Sequence, residues 1–393
     1  MAKQIDELTL ARRRKRRKYR IRRFIAVISL IAVVIPIVIL VDKVNIYTFK
    51  SIGDFFETTF AANKGYPAML NSSKPLDALE LKGATALLTS SELIVKGTRG
   101  AELFRHTHGY SNPLIDVGKT RIIIYDSGNK GYSIYNRTGQ LFSSDSEYPI
   151  VSSSIAGNGM AAILTRGERS LSELEILSST NYLTYFTWYG VSGFPLYCNF
   201  SNDSSEVYVV TLNVTNSEVV SIITFIDMDK REEKAAITLS GVVLKVYDDD
   251  TGYTVVTDTG AFRINGEYML ENRYMFSKTP ILGISKKDNY LAIAFGDNNR
   301  VDVNNIVILG DKLEQQVKLT NVGSVDYIYM TSNYLYLLSS GRIYGITPSG
   351  EYSLSGEMVS RANSIFMIGN KVYVLLNDRI EPLELEEIAK VSP

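Results

Sequence analysis

The sequence predicts an all-β protein, a β-propeller of eight or seven four-stranded blades with eight preferred, preceded by a single N-terminal transmembrane α-helix. Three observations carry this. An apolar run at residues 24–41 follows a strongly basic one. From about residue 78, short runs rich in Val, Ile and Tyr alternate with polar residues and end in Gly, Asn, Asp or Ser, the pattern of half-buried strands closed by turns. Those runs recur at a spacing near 40 residues, the period of a four-stranded blade.

From Phe24 to Val41 the 18 residues are apolar apart from Ser29 and the tolerated Pro36. At ~1.5 Å per residue a helix of that length spans about 27 Å, close to one bilayer core. A cleavable signal peptide has a shorter apolar region and then small residues; here Val41, Asp42, Lys43, Val44 and Asn45 follow, so an uncleaved anchor is expected. The basic run includes Arg12, Arg13, Arg14, Arg22 and Arg23. Cations flanking a first span stay cytoplasmic, so the N-terminus is expected inside and the C-terminal domain outside a cell membrane. The same cations suit the anionic inner leaflet. A nucleic-acid arm is disfavoured, because Tyr19 is the only base-reading type of side chain within the run.

The expected organisation is a basic cytoplasmic tail (1–23), a transmembrane helix (24–42), a juxtamembrane helix and linker (43–77) and an extracytoplasmic propeller (78–393). Basic and acidic residues balance at 42 each, but eleven basic and only two acidic residues precede position 42. The remainder holds 31 basic and 40 acidic residues, a net charge near −9. Such a domain does not attract nucleic acid or other polyanions over distance. The single cysteine, Cys198, excludes an internal disulfide, so stability must come from core burial, which a domain of this size supports. In the short alternating run "PLYCNFS" it reads as a small buried side chain.

In "NIYTFKSIGDFFETTF", Ile46, Phe49, Ile52, Phe56 and Phe60 fall on one helical face. That stripe fits a helix lying on the outer leaflet and equally a helix docked on the domain. The cluster "AANKGYPAMLNSSKP" then reads as linker. Beyond it, the turn glycines Gly100, Gly139, Gly266, Gly310 and Gly350 are spaced by 39, 127, 44 and 40 residues. The long interval divides into three units, with weaker turns near Ser179 and Asp229. An eighth unit runs from Arg361 to Glu387, and Pro382 in its third strand suggests an edge. The stretched third and fourth units suggest an inserted loop.

The repeats "SSGRIYGITPSGEYSL", "GYSIYNRTGQLF" and "TGAFRINGEYML" resemble those of quinoprotein-like, eight-bladed propellers. With its basic tail and single span, the chain is similar to uncharacterised membrane-anchored propeller proteins of Firmicutes. Quinone-dependent members of the broader group dock their blades with many tryptophans and carry an adjacent-cysteine pair; this chain has only Trp188 and Cys198. The resemblance therefore implies the scaffold without the cofactor, and a role like that of non-catalytic relatives, which act as protein-binding platforms in envelope assembly.

Residues with catalytic or metal-binding chemistry are sparse, and no catalytic, cofactor or metal residue is assigned. Asp248, Asp250, Gly252 and Thr254 in "DDDTGYTVV" are spaced like a calcium loop, but no bidentate acid follows at the required distance, and a hairpin turn is the better reading. His106 and His108, the only histidines, fall short of a zinc site unless Asp116 or Glu102 joins them. The serines of "SSDSEYPIVSSSIAGNG" have only those histidines as a base. No phosphate loop, nucleophile elbow or cysteine cluster occurs. Tyrosine stands out, with 25 copies and a concentration at Tyr182, Tyr185, Trp188 and Tyr189, suited either to a contact surface or to packing between strands. The expected function is a binding or scaffold module of the bacterial envelope, with the lipid bilayer and envelope proteins or glycan as partners and no nucleic acid. The alternatives are a glycan hydrolase or lyase with carboxylates in the central funnel, or a ligand sensor working through a membrane partner.

Overall fold

The computed structural model describes residues 46–388 apart from 72–73, 169, 250, 278, 298–303, 358–361 and 370. The basic tail with Arg12 to Arg23 and the apolar run from Phe24 through Pro36 to Val41 lie outside the described residues, and among the described residues no helix is long and apolar enough to cross a membrane. The chain divides between Gly53 and Asp54 into two units. Helix α1 (Ile46–Thr59) begins in the first and ends in the second.

The second unit is an eight-bladed β-propeller. Seven blades are antiparallel meanders of four consecutive strands, running from Pro75–Leu81 in blade 1 to Tyr352–Glu357 in blade 7. The eighth takes three strands from the C-terminal region, Ser364–Ile368, Lys371–Leu375 and Arg379–Pro382. Its outer strand comes from the linker: Ala68–Met69 pairs with Ile380 and Arg379. The third strand of blade 8 is therefore interior to its sheet, which corrects the edge position suggested by Pro382. The proline ends the strand, and the pairing with residues 68–69 occupies only Arg379 and Ile380. A short strand at Glu386–Glu387 then adds to the outside of blade 7.

The core lies between blades, because each strand divides its side chains between two neighbours. In Glu206–Thr215, Val207 and Val209 pack into the cluster shared with blade 3, while Tyr208 and Val210 pack into the cluster shared with blade 5. This is the period of two of a pleated strand, buried on both faces. The cluster that seals the ring joins Ala78, Leu87 and Ile94 of blade 1 to Phe366, Ile368, Tyr373, Leu375 and Ile380 of blade 8, with Leu70 fully buried among them. Arg105 donates to the Leu70 carbonyl at 2.8 Å, fixing the segment from the blade 1 side.

The glycines that mark the repeat all sit in the turn between third and fourth strands, as do the regions around Ser179 and Asp229. At Gly100 φ is +78°, and a Cβ would stand 2.1 Å from the Gly65 carbonyl oxygen, so the linker crosses this turn too closely for any side chain. No loop is inserted in blade 4. Its extra residues lengthen a hairpin, Glu206–Thr215 and Glu218–Asp227, closed by Asn216 and Ser217, both with positive φ as a two-residue primed turn needs.

On the innermost strands of blades 2, 3 and 4, Asp116, Ser154 and Asn199 form a hydrogen-bonded chain. Ser154 Oγ lies 2.7 Å from both Asp116 Oδ2 and Asn199 Oδ1, and Asn199 Oδ1 already accepts from Phe200 N–H. A hydroxyl has one hydrogen to give. That hydrogen serves one of the two oxygens at a time; Asp116 Oδ2 also accepts from the Ile155 N–H at 2.9 Å, and burial raises the Asp116 pKa.

Two expected outcomes follow for the ring. Leu70→Ala, which empties a closed core site, lowers unfolding free energy by about 2–5 kcal/mol in denaturant titration, more than the same change at half-exposed Leu79. Asp116→Asn, which keeps an acceptor for the Ile155 N–H, changes stability by under ~1 kcal/mol, whereas Asp116→Ala costs about 1–3 kcal/mol by leaving that N–H without its acceptor.

Candidate functional site

The ends of the ring differ in chemistry. One carries the turns between first and second strands and between third and fourth; the other carries the turns between second and third strands and the links between blades.

On the first end, blades 4, 5 and 6 contribute a cleft of about 540 Å³ lined by Asn202, Tyr247, Asp248, Asp249, Lys286 and Asp311, among others. A neighbouring hollow of about 360 Å³ shares Asn202, Asp248 and Asp249 and reaches Glu206, Tyr253 and Tyr268. The carboxylates here are unequally compensated. Asp249 is held by Arg263 through paired contacts of 2.6 and 2.7 Å and by Lys286 at 3.2 Å. Partial burial pushes its pKa up, but the Arg263, Thr251 and Lys286 contacts outweigh this and hold it below the usual carboxylate range. Glu206, almost fully buried, accepts from Tyr253 at 2.9 Å and from Tyr268 and Lys234. The Lys234 pKa is raised chiefly by that contact.

Asp248 makes no ion pair among the described residues. It accepts from the Asn202 backbone N–H, while burial, with Asp203, Asp249 and Glu206 as neighbouring charges, pushes its pKa up to about 6. The arrangement suits a positively charged group, which would relieve the Asp248 charge without displacing an existing partner.

The second end carries apolar exposure at blades 3 and 4. Leu171, Tyr189, Val191, Phe194, Val214 and Val219 are all exposed, Val191 to 87%. Arg166 from blade 3 lies 5.1 Å over the Phe194 ring at the start of blade 4, and Val214 pairs across the long hairpin with Val219. Exposed apolar residues grouped on one rim mark an interaction surface more often than scattered ones do.

The aromatic group singled out from sequence is divided. Tyr182 is buried and packs 5.5 Å from Phe142. Tyr185 and Trp188 are half-buried between the outer strands of blades 3 and 4: Arg231 sits 4.1 Å over Tyr185, and Trp188 Nε1 donates to Glu233 at 2.8 Å. Only Tyr189 is exposed and adjoins the apolar rim. Its neighbours on that rim include Phe194, a little further along the same aromatic-rich stretch, and the aliphatic residues Leu171, Val191, Val214 and Val219, which aromatic density does not reveal.

The two histidines serve packing. His106 stacks near Phe104 and Tyr135, and buried His108 contacts the Thr89 carbonyl at 3.2 Å, with its pKa lowered by burial. Glu102 pairs with Lys96 and Arg105, and Asp116 is engaged with Ser154, so neither joins the histidines. Among the described residues no group of three His, Cys, Asp or Glu side chains is placed to hold a metal. Asp250 of the suggested calcium loop lies outside the described residues, and Asp249 and Gly252 close that hairpin. Ser152, Ser153 and Ser154 belong to the inner strand of blade 3. Cys198 is buried in the cluster between blades 3 and 4, which pushes its thiol up to about 12.

These features define an eight-bladed β-propeller with an acidic cleft on one end and exposed apolar residues on the other. Residues 60–385 match the family of unknown function DUF5711, and the chain belongs to that family. No curated protein matches its sequence. Among solved structures it is similar to BamB from Moraxella catarrhalis, with 9% identity and a TM-score of 0.56 over 81% of this chain and 100% of that one. It is also similar to Saccharomyces cerevisiae Sqt1, with 8% identity and a TM-score of 0.61 over 82% and 100%. At such identities the likeness is one of fold.

Asp248 yields a pH prediction. Its folded pKa is above the unfolded value, so its favourable contribution is complete below about pH 3.8 and is lost as pH rises through about 6. Asp248→Asn, which keeps an acceptor for Asn202, is expected to raise stability at pH 7.5 by about 1 kcal/mol after allowance for partial exposure. The same variant flattens the melting temperature between pH 4 and 7, as read by calorimetry.

Proposed function

We propose that this chain is a membrane-anchored, extracytoplasmic propeller that acts as a non-catalytic binding or scaffold module in the bacterial cell envelope. Support for the location comes from the sequence: an apolar run long enough to span, with the cations on its N-terminal side. Support for the role comes from the rim of blades 3 and 4, where exposed Tyr189, Val191, Phe194, Val214 and Val219 are grouped on one end of the ring. That grouping is the observation that carries the reading. Aliphatic and aromatic area bordered by Arg166 is the composition of a protein interface core, with its polar surround supplied by the Thr215, Asn216, Ser217 and Glu218 hairpin tip.

The test is proximity cross-linking of the full-length protein in its native membrane, with an anchor-only chain ending near Asn63 as control. Envelope proteins should be recovered with the full-length protein and fall about tenfold with Val191→Asp combined with Val214→Asp, the effect of losing ~1.4 kcal/mol of binding. Equal recovery from wild type and variant would remove the rim from the proposal. Recovery no greater than the control would end the platform reading.

A further inference from the structure

From its placement, helix α1 presents two faces with different fates. Asp54 is buried: its carboxylate accepts from the Arg137 guanidinium at 2.7 and 3.0 Å and from the Arg137 backbone N–H at 3.0 Å. Arg137 donates in turn to the Lys82 carbonyl at 2.6 Å. Thr58, one turn after Asp54, comes up against Gly83. The helix is thus held on the turns of blades 1 and 2 by its Asp54 and Thr58 side.

At 100° per residue, Phe56 and Phe60 fall on the opposite side. They are 54% and 76% exposed, and their rings stack with centroids 6.2 Å apart; Phe55 is 58% exposed beside them. Phe56 and Phe60 are the last two members of the apolar stripe read from the sequence. The buried ion pair prevents the helix from rolling to cover them, since breaking such a pair costs about 3–5 kcal/mol.

We infer that Phe55, Phe56 and Phe60 form an aromatic ledge that enters the outer leaflet of the bilayer, so that the end of the ring bearing the helix and the acidic cleft faces the membrane. This rests on the anchor proposed above. The occupant follows from the chain itself: only residues 42–45 separate the apolar run from α1, so its start lies no more than about 18 Å from the end of the span. A helix that must begin that close to the bilayer, with one side fixed on the domain and aromatic rings on the other, has lipid as the nearest apolar phase. Aromatic side chains favour that interfacial depth. Glu57, exposed beside the rings, argues for insertion of apolar area over attraction to anionic lipid. The apolar rim of blades 3 and 4 is then turned outward, toward soluble or wall-bound partners.

The experiment uses full-length protein in liposomes of zwitterionic lipid, with an environment-sensitive fluorophore on Phe60→Cys or on Lys130→Cys, the latter exposed in the turn between second and third strands of blade 2 at the other end of the ring. Buried Cys198 makes the unsubstituted chain the labelling blank. The expected result is that the protein floats with the vesicles, the label at 60 shifts to the blue and loses most of its emission to brominated lipid, and the label at 130 does neither. Flotation with an aqueous signal at 60 would overturn the ledge and leave the anchor standing. Quenching at both positions would overturn the orientation. Failure to float would overturn the anchor and the ledge with it.

Discussion

The structure depends on closure of the ring. Each blade is a sheet with two apolar faces, and neither face is covered until a neighbour lies against it; seven meanders in a row would leave a first and a last face bare. The seal is made by few groups: the pairing of Ala68 and Met69 with Ile380 and Arg379, the fully buried Leu70, and the Arg105 contact to the Leu70 carbonyl. The eighth blade is complete only with these linker residues, and its cluster joins both ends of the propeller in one core. The remaining clusters repeat the same logic from blade to blade, with alternate residues of one strand serving opposite neighbours.

Much of this was legible in the sequence because it rests on local chemistry. The turns at Gly100, Gly139, Gly266, Gly310 and Gly350 have residue requirements of their own, and their spacing carried the blade period. What was hidden depends on pairing across long distances. Nothing in "YPAML" distinguishes a linker from the outer strand of a blade whose other strands lie at the far end of the chain. The stretched spacing around blade 4 has the same length whether it forms a loop or a longer hairpin. The Asn216 and Ser217 turn, where residues of that type accept positive φ, was the available signal for the latter.

The candidate site was less legible still. Aromatic density pointed to blade 3, but Tyr182, Tyr185 and Trp188 are drawn inward by Phe142, Arg231 and Glu233. Those partners lie on other strands and cannot be read from the stretch itself. The acidic cleft escaped notice because its carboxylates come from three blades, and because a carboxylate near a turn looks the same in sequence whether it is compensated, as Asp249 is, or not, as with Asp248. The apolar stripe of helix α1 was seen, while the decisive residue for its docking was the polar Asp54 on the other side.

The closing strand also has a temporal meaning. Residues 68–69 leave the ribosome long before Arg379 and Ile380, yet their pairing completes the last blade. During synthesis the early blades can form hairpins and stack, but their outermost faces stay uncovered until the final blade arrives, and joining chain ends so far apart carries a large loop-closure cost. Because the segment that must wait is only a short linker away from helix α1, the last step of folding returns to the start of the described chain. A chain cut short before residue 380 is therefore more than a smaller propeller: it is an open arc with an exposed strand edge and an apolar face at each end, the kind of species that aggregates or is degraded.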